Sequence, residues 1–539
     1  MARSGQSTNA AMYYCLVSFV YMAVSTNLYV SYSLADECVL LDMRERLKWP
    51  ALSMHKSPRA PSLLQALLPL SILIALLGLS VYFFGDDASS GANQIALLLA
   101  AGAAALVGLK NGYRWDDMEK AIIEGISVSM IAILILLCVG ALIGTWLLSG
   151  TVQTLIYYGL LLINPDYFLF TACVVCAITA LCIGSSWTVA GTLGIAFMGM
   201  AQAMGLSAAM TAGAVISGAY FGDKLSPLSD TTNLASAVTG VNLFEHIRYM
   251  LWTTLPSFAI ALAGFLWLGM GLHGNVAGNI VEAANALKTN YTITPMLLIP
   301  MFLVFIMAWR RMPALPTIFI GALIGGVFAV FFQKQSIGVM MADYHGPEAL
   351  KSVAAVWQAL ARGFVSHTAS DSLNELLSRG GMSSMLPTVW LILCAMTFGS
   401  VMEKVGLLQS ILHAIARRIE SVSVLIVTTL FTCISANIVT SDQYIAIVLP
   451  GRMFRLEYEK HHLAGRMLSR TLEDSATLTS ALVPWNTCGA YMAATLGVAT
   501  FTYLPFAFFN WMGPLISAVY AITRFRLAYL DDEPIGASR

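Results

Sequence analysis

The sequence carries little charge. Only 11% of its 539 residues are Asp, Glu, Lys or Arg, whereas 58% are hydrophobic, and the mean hydropathy is +0.74. An ordinary soluble domain has roughly 25% charged residues, so this composition excludes a water-soluble globular protein. About a dozen apolar stretches are each long enough to cross ~30 Å of hydrocarbon. They predict an all-α polytopic protein of the cell (plasma) membrane.

A surplus of positive charge is also absent, since 29 basic residues balance 29 acidic ones. This balance excludes nucleic acid as a partner. The only CxxC motif, Cys173 and Cys176, lies in an apolar run and predicts packing residues rather than metal ligands. HExxH, Walker and GxSxG motifs are missing, so we expect neither an enzyme nor a cofactor. The expected partners are the lipid bilayer and small ions.

The basic residues that are present cluster beside alternate apolar segments, whereas the short loop at 85–93 has none. The positive-inside rule therefore predicts that both ends of the membrane domain are cytoplasmic. Residues 11–35 carry no charge and could form an additional span. Six parts are predicted: an N-terminal extension and basic leader (1–60), first membrane helices (61–123), a first repeat (124–271), connecting helices with an extracellular loop (272–385), a second repeat (386–523) and a cytoplasmic tail (524–539).

Two parts of the chain resemble each other. Residues 134–155 match 391–411, and each is followed by an amphipathic stretch and a long apolar run with a polar break. Only the second amphipathic stretch carries basic residues, Arg417 and Arg418, which predicts repeats of inverted topology. The runs at 167–203 and 422–451 are predicted as re-entrant hairpins, with single broken helices as the alternative. The hairpin tips would be Ser185, Ser186, Ser441 and Asp442.

Two polar segments follow the apolar runs, GDKLSPLSDTTN at 222–233 and RTLEDSATLTSALVPWNTCGA at 470–490. Charged residues within a span each cost ~2.5–3.5 kcal/mol, which suggests a use. Hydroxyl, amide and carboxyl oxygens suit a hard cation such as Na⁺. The alternatives are interfacial ion pairs, Asp223 with Lys224 or Glu473 with Arg470, and Ser/Thr contacts between helices. The predicted Na⁺/H⁺ site comprises Asp223, Ser226, Asp230, Thr231, Asn233, Asp474, Asn486 and Thr487.

These two segments also carry a family resemblance. Together with IAIVLPGRMF at 445–454, they resemble the NhaC family of Na⁺/H⁺ antiporters, and the likeness spans about residues 60–525. It implies membership of the ion-transporter superfamily, a homodimer, and a mobile transport domain with two re-entrant hairpins. By motif match it implies six of these candidate residues: Asp223, Asp230, Asn233, Asp474, Asn486 and Thr487.

The predicted function is exchange of Na⁺ for H⁺, because a partly desolvated carboxylate can hold either ion but not both. The alternative is a Na⁺/H⁺-coupled antiporter of organic acids (malate/lactate type) or amino acids. A buried arginine serving the substrate carboxylate would favour it, and Arg470 is the nearest candidate. An intramembrane aspartyl protease is disfavoured, since its resemblance requires Tyr-Asp and Gly-x-Gly-Asp contexts that the sequence lacks.

Overall fold

The computed structural model describes residues 58–84, 91–270, 276–366, 374, 377–416 and 421–530. The N-terminal extension at 1–53, the possible span at 11–35 and most of the predicted tail at 524–539 lie outside these residues. So does most of the loop at 85–93, which carries no basic residue.

The described residues are mostly helical. Within them, β-structure is limited to two isolated bridges, Phe364 with Arg379 and Leu463 with Tyr529. Helices up to the centre of the chain are α1 (Leu63–Phe84), α2 (Ala92–Lys110), α3 (Trp115–Leu148), α4 (Thr151–Leu162), α5 (Phe168–Ile183), α6 (Ser186–Val189), α7 (Ile195–Met204), α8 (Ala208–Leu225), α9 (Asp230–Thr239), α10 (Leu243–Met270), α11 (Val276–Asn290) and α12 (Ile299–Trp309).

The remaining helices follow the same naming. They are α13 (Ala314–Phe332), α14 (Lys334–Met340), α15 (Glu348–Arg362), α16 (Leu386–Lys404), α17 (Leu407–Ala416), α18 (Val422–Thr440), α19 (Gln443–Lys460), α20 (Gly465–Leu472), α21 (Leu478–Ser480), α22 (Thr487–Leu496), α23 (Thr500–Tyr503) and α24 (Phe508–Thr523). π-Helical turns at Ala190–Gly194 and Glu473–Thr477 link α6 to α7 and α20 to α21.

Eight helices in the described part of the chain are long and apolar enough to cross a membrane, or up to ten when two bent pairs each count as one span. One bent pair joins Ile280–Asn290 to Pro295–Trp309 at 96°, and the other joins Thr500–Phe506 to Phe508–Thr523 at 59°. These helices confirm the all-α polytopic prediction. The protein is therefore a multi-pass membrane protein.

Both predicted breaks in the long apolar runs are present. Helix α5 ends before Gly184 (φ 75°) and α6 begins at Ser186, while α18 ends before Ser441 (φ 60°) and α19 begins at Gln443. Small and polar residues allow these left-handed positions. Helix α19, which follows the second break, is longer than the apolar run predicted from hydropathy, because its polar C-terminal part continues to Lys460.

Glycines bring α8 against α5. A Cβ on Gly218 would lie 2.1 Å from the carbonyl oxygen of Cys173, and one on Gly222 would lie 2.1 Å from that of Ala177. Spaced four residues apart, the two glycines form one smooth stripe, which is how membrane helices pack closely without a hydrophobic driving force between them. This contact holds Asp223, the next residue, beside the break that follows α5.

Replacing Gly222 with Ala should therefore lower stability by about 1–3 kcal/mol, since the added methyl group forces the two backbones apart. The measurement is thermal unfolding in detergent. Gly102 in α2 is a matched control, because a Cβ there meets no atom within 4 Å, so Gly102→Ala should leave the melting temperature unchanged or raise it. Equal losses in both variants would contradict this packing interpretation.

Candidate cation site between the two helix breaks

A cavity of about 160 Å³ lies where the two helix breaks meet the start of α9 and of α22. Residues at the first break, at the second break and on both unwound segments line it together. Helix α3 forms a further wall, and its lining residues are mostly apolar. Ala314 also lines the cavity. The polar lining side chains are Ser129, Ser185, Ser186, Asp223, Ser229, Asp230, Thr231, Asp442, Gln443, Tyr444 and Thr487.

Asp223 accepts hydrogen bonds at the first break. Both the backbone N–H and the hydroxyl of Ser186 donate to Oδ2 of Asp223, at 3.0 and 2.7 Å. Ser185 caps the same helix start by accepting from the N–H of Thr188 at 3.2 Å. Because both Ser186 bonds end on Oδ2, the other carboxyl oxygen remains for a ligand in the cavity. A helix start favours a negative charge at this position.

The second break supplies a second carboxyl. Oδ1 of Asp442 accepts from the N–H of Ile445 at 3.0 Å, so Asp442 caps α19 while lining the cavity. The backbone N–H of Thr487 donates to the carbonyl of Ser441 at 2.9 Å. This bond ties the second break to the second unwound segment.

An aromatic pair joins the first break to the other repeat. The rings of Trp187 and Tyr491 stack with centroids 4.1 Å apart, and the Tyr491 hydroxyl donates to the Trp187 carbonyl at 2.8 Å. Trp187 is therefore packed on α22. Helix α22 therefore bonds to both helix breaks.

Some predicted site residues lie outside the cavity lining. Ser226 accepts from the N–H of Leu228, and Asn233 donates to the carbonyls of Pro227 and Ser229. Asn486 caps α22 by accepting from the N–H of Cys488 at 3.0 Å, and it also bonds to Asn437. These three residues shape the unwound segments instead of facing the cavity.

Asp474 is also away from the cavity, in a buried ion pair that joins the two repeats. The ammonium of Lys224 donates to Oδ1 of Asp474, and both side chains have no exposed surface. Thr253 donates to the same oxygen at 2.9 Å, and Nε of Arg470 lies 3.9 Å from Oδ2. The ion pairs suggested by sequence, Asp223 with Lys224 and Glu473 with Arg470, are not those formed. Lys224 and Arg470 both approach Asp474.

The charges that line the cavity are all acidic. Asp223, Asp230 and Asp442 contribute carboxyl groups, whereas the lining includes no Lys, Arg or His. Among the residues that the structure describes, no three His, Cys, Asp or Glu side chains converge as a resident metal centre would require. The carboxyl and hydroxyl oxygens that line the cavity suit a hard cation.

Comparison with known proteins now identifies the family. A profile described as the Na⁺/H⁺ antiporter family matches residues 218–525. An Na⁺/H⁺ antiporter NhaC of Alkalihalophilus pseudofirmus is 37% identical over 454 residues, covering 84% of this chain and 94% of that protein. The chain belongs to the Na⁺/H⁺ antiporter family. The resemblance inferred from the two polar segments is confirmed.

Other relatives are named for different substrates. A malate-2H⁺/Na⁺-lactate antiporter of Bacillus subtilis is 36% identical over 486 residues, covering 90% of this chain and 99% of that protein. An arginine/ornithine antiporter of Halobacterium salinarum is 33% identical over 482 residues, covering 88% and 95%. Because these three relatives are named for different substrates, the substrate of this chain depends on its own site.

Gln443, Tyr444 and Cys488 also line the cavity of this antiporter-family chain, although no sequence pattern pointed to them. Gln443 accepts from the Ser480 hydroxyl and the Cys488 thiol, both at 3.0 Å. Gln443 and Tyr444 directly follow Asp442, the predicted hairpin tip, and this position could have identified them as site residues. Cys488 follows the predicted Thr487, but its thiol is not an oxygen donor, so the pattern of hard ligands does not include it.

Proposed function

We propose that the chain exchanges Na⁺ for H⁺ across the cell membrane by exposing one cation site alternately to the two sides. The observation that carries this proposal is the acidic cavity between two helix breaks, inside a chain of the Na⁺/H⁺ antiporter family. Asp223 and Asp230 bind the cation. Thr231 and Thr487 add oxygen donors, and Asp442 supplies charge from the second break.

Exclusive occupancy is the physical basis of coupling. A cation bound near carboxylates stabilises their ionised form, and a proton bound to one of them removes the charge that attracts the cation. A transporter performs antiport when it exposes its site to the opposite side of the membrane with either ion bound, but never with both. In this scheme Asp474 acts at a distance, because it holds Lys224 away from the cavity carboxylates.

A second candidate function is exchange of an organic acid or amino acid. Two relatives carry such names, but the cavity of this chain disfavours an organic anion, because its lining charges are acidic. Arg470, the arginine considered for a carboxylate, is fully buried and faces elsewhere. It donates to the Arg526 carbonyl and lies over the Tyr249 ring, with 4.6 Å between guanidinium carbon and centroid.

The test is transport by purified protein in liposomes that contain a pH-sensitive dye. Na⁺ added alone should change the internal pH, because the cavity needs no organic partner. Malate, lactate, arginine and ornithine are then added in separate samples, each together with Na⁺. If Na⁺ alone has no effect and an organic substrate drives proton movement, Na⁺/H⁺ exchange is wrong and the second candidate is correct.

We also propose that the protein is a homodimer and not an enzyme, and that both ends of its membrane domain are cytoplasmic. The orientation is supported by the basic clusters at the ends of alternate spans. Reporter fusions after residue 110 and after residue 526 should both be active on the cytoplasmic side. Opposite results at the two positions would contradict the predicted topology.

A further inference from the structure

Helix α3 contributes one polar side chain to the lining of the cation cavity. Its other lining residues are Val128, Ile131, Ala132 and Ile135, which are apolar, whereas Ser129 carries a hydroxyl group. None of the cation ligands proposed above comes from α3. The Ser129 hydroxyl is therefore a polar group of the cavity wall that the proposed function has not used.

This hydroxyl has no hydrogen-bond partner among the residues that the structure describes. Ser129 is only 2% exposed, so the surrounding solvent does not supply one either. Of the described cavity-lining residues, Ser129 alone has a fully buried side-chain oxygen or nitrogen without a partner. Burying an unpaired hydroxyl costs free energy, and a ligand in the cavity would remove that cost.

The position of Ser129 in a helix offers a partner that the side chain does not use. A helical Ser or Thr can donate to the carbonyl four residues earlier. Thr145, also in α3, donates to Ala141 at 3.1 Å, and Ser257 in α10 donates to Thr253 at 2.7 Å. Ser129 makes no such bond. Its oxygen therefore stays available to a ligand.

Other contacts fix α3 at the cavity wall without this hydroxyl. A Cβ on Gly125 would collide with Oγ of Ser400, so α3 and α16 are in close contact one turn before Ser129. Towards the end of α3, the Trp146 indole donates to the carbonyl of Gly321 in α13 at 3.1 Å. The Ser129 hydroxyl is thus not needed to hold the helix in place.

We propose that Oγ of Ser129 is a further ligand of the transported cation, which then contacts α3 as well as the two helix breaks. This inference rests on the proposed Na⁺/H⁺ exchange. A hydroxyl oxygen is a hard, neutral donor of the kind that Na⁺ accepts. It adds a ligand without adding charge, so it strengthens cation binding and leaves the number of protons exchanged unchanged.

The experiment measures equilibrium binding of ²²Na⁺ to the purified full-length protein in detergent. Ser129→Ala should raise the dissociation constant about tenfold, whereas Ser129→Thr, which keeps a hydroxyl, should stay within about threefold of wild type. Ser127→Ala is the matched control, because Ser127 lies two residues earlier in α3 and is exposed. Its dissociation constant should equal that of wild type.

Transport in liposomes provides a second readout of the same variants. In Ser129→Ala the Na⁺ concentration for half-maximal exchange should rise about tenfold, while the maximal rate stays within about twofold of wild type. The protons moved per Na⁺ should not change. A lower maximal rate with an unchanged half-maximal Na⁺ concentration would contradict a role in cation binding.

Thermal melting separates a ligand from a residue that only supports the fold. Since Ser129→Ala removes an unpaired buried hydroxyl, it should melt at the wild-type temperature or above. Weaker binding together with a lower melting temperature would assign Ser129 to the fold and overturn the proposal. So would a wild-type dissociation constant in Ser129→Ala, or equal weakening in Ser129→Ala and Ser129→Thr.

Two further results keep the proposal separate from other failures. If Ser129→Ala does not fold, Ser129→Cys decides, because a soft sulfur is a poor ligand for Na⁺; wild-type affinity in that variant would refute the role. Wild-type protein that binds ²²Na⁺ but moves no protons would refute the proposed exchange, and the binding comparison would still decide whether Ser129 is a ligand.

Discussion

Replacing Asp223 with Asn should reduce Na⁺ transport at least about a hundredfold, which corresponds to a loss of about 2.8 kcal/mol of cation binding. The substitution removes the negative charge and places an amide where the Ser186 donors meet the carboxylate. Both ²²Na⁺ flux and proton movement should disappear, because the cation site itself is lost.

Asp116→Asn is the matched control for Asp223→Asn. Asp116 is an exposed carboxylate near the start of α3 that pairs with Arg114 at the surface, and such pairs contribute ~0–1 kcal/mol. Its transport should remain close to wild type. Folding of Asp223→Asn is checked by size-exclusion elution and thermal melting. Near-normal Na⁺ flux in a folded Asp223→Asn variant would remove Asp223 from the site.

Replacing Lys224 with Met should destabilise the protein by about 3–5 kcal/mol, since it leaves the fully buried carboxylate of Asp474 without its counter-ion. Thr253 and the more distant Arg470 would remain near that carboxylate. The free energy of unfolding is measured by equilibrium unfolding in mixed detergent micelles. The expected loss is large because neither side chain of the pair has any exposed surface.

A double-mutant cycle separates this ion pair from simple loss of packing. Lys224→Met combined with Asp474→Asn should cost less than the sum of the two single changes, by about 1–3 kcal/mol. The neutral pair no longer buries an uncompensated charge. Additive losses would show that the two residues stabilise the protein independently.

The helix breaks and the cavity carboxylates could be predicted from sequence because the membrane makes polar residues expensive. Ser185, Ser186 and Asp442 interrupt apolar runs, and Asp223 follows one directly. All four line the cavity. A polar residue that interrupts a membrane span has few purely structural explanations. Its type and position were therefore enough to predict the breaks and the cavity carboxylates.

The direction in which each side chain of the second polar segment points could not be predicted from the sequence. Glu473 and Asp474 are adjacent carboxyls, and only the π-helical turn decides that Asp474 meets Lys224 while Glu473 is left unpaired. Such a turn has no reliable residue pattern. The capping role of Asn486, by contrast, had a signal, since Asn directly before a helix is a preferred N-cap.

The ion pair between Lys224 and Asp474 also affects how the chain is made. Lys224 leaves the ribosome 250 residues before its partner, which at ~5–20 residues per second is a delay of about 12–50 s. A lysine without a counter-ion costs ~2.5–3.5 kcal/mol at a membrane-helix centre. Helix α8 should therefore reach its final depth only after the second repeat has been synthesised, so a nascent chain cut short before residue 474 exposes an incompletely inserted segment to quality-control proteases.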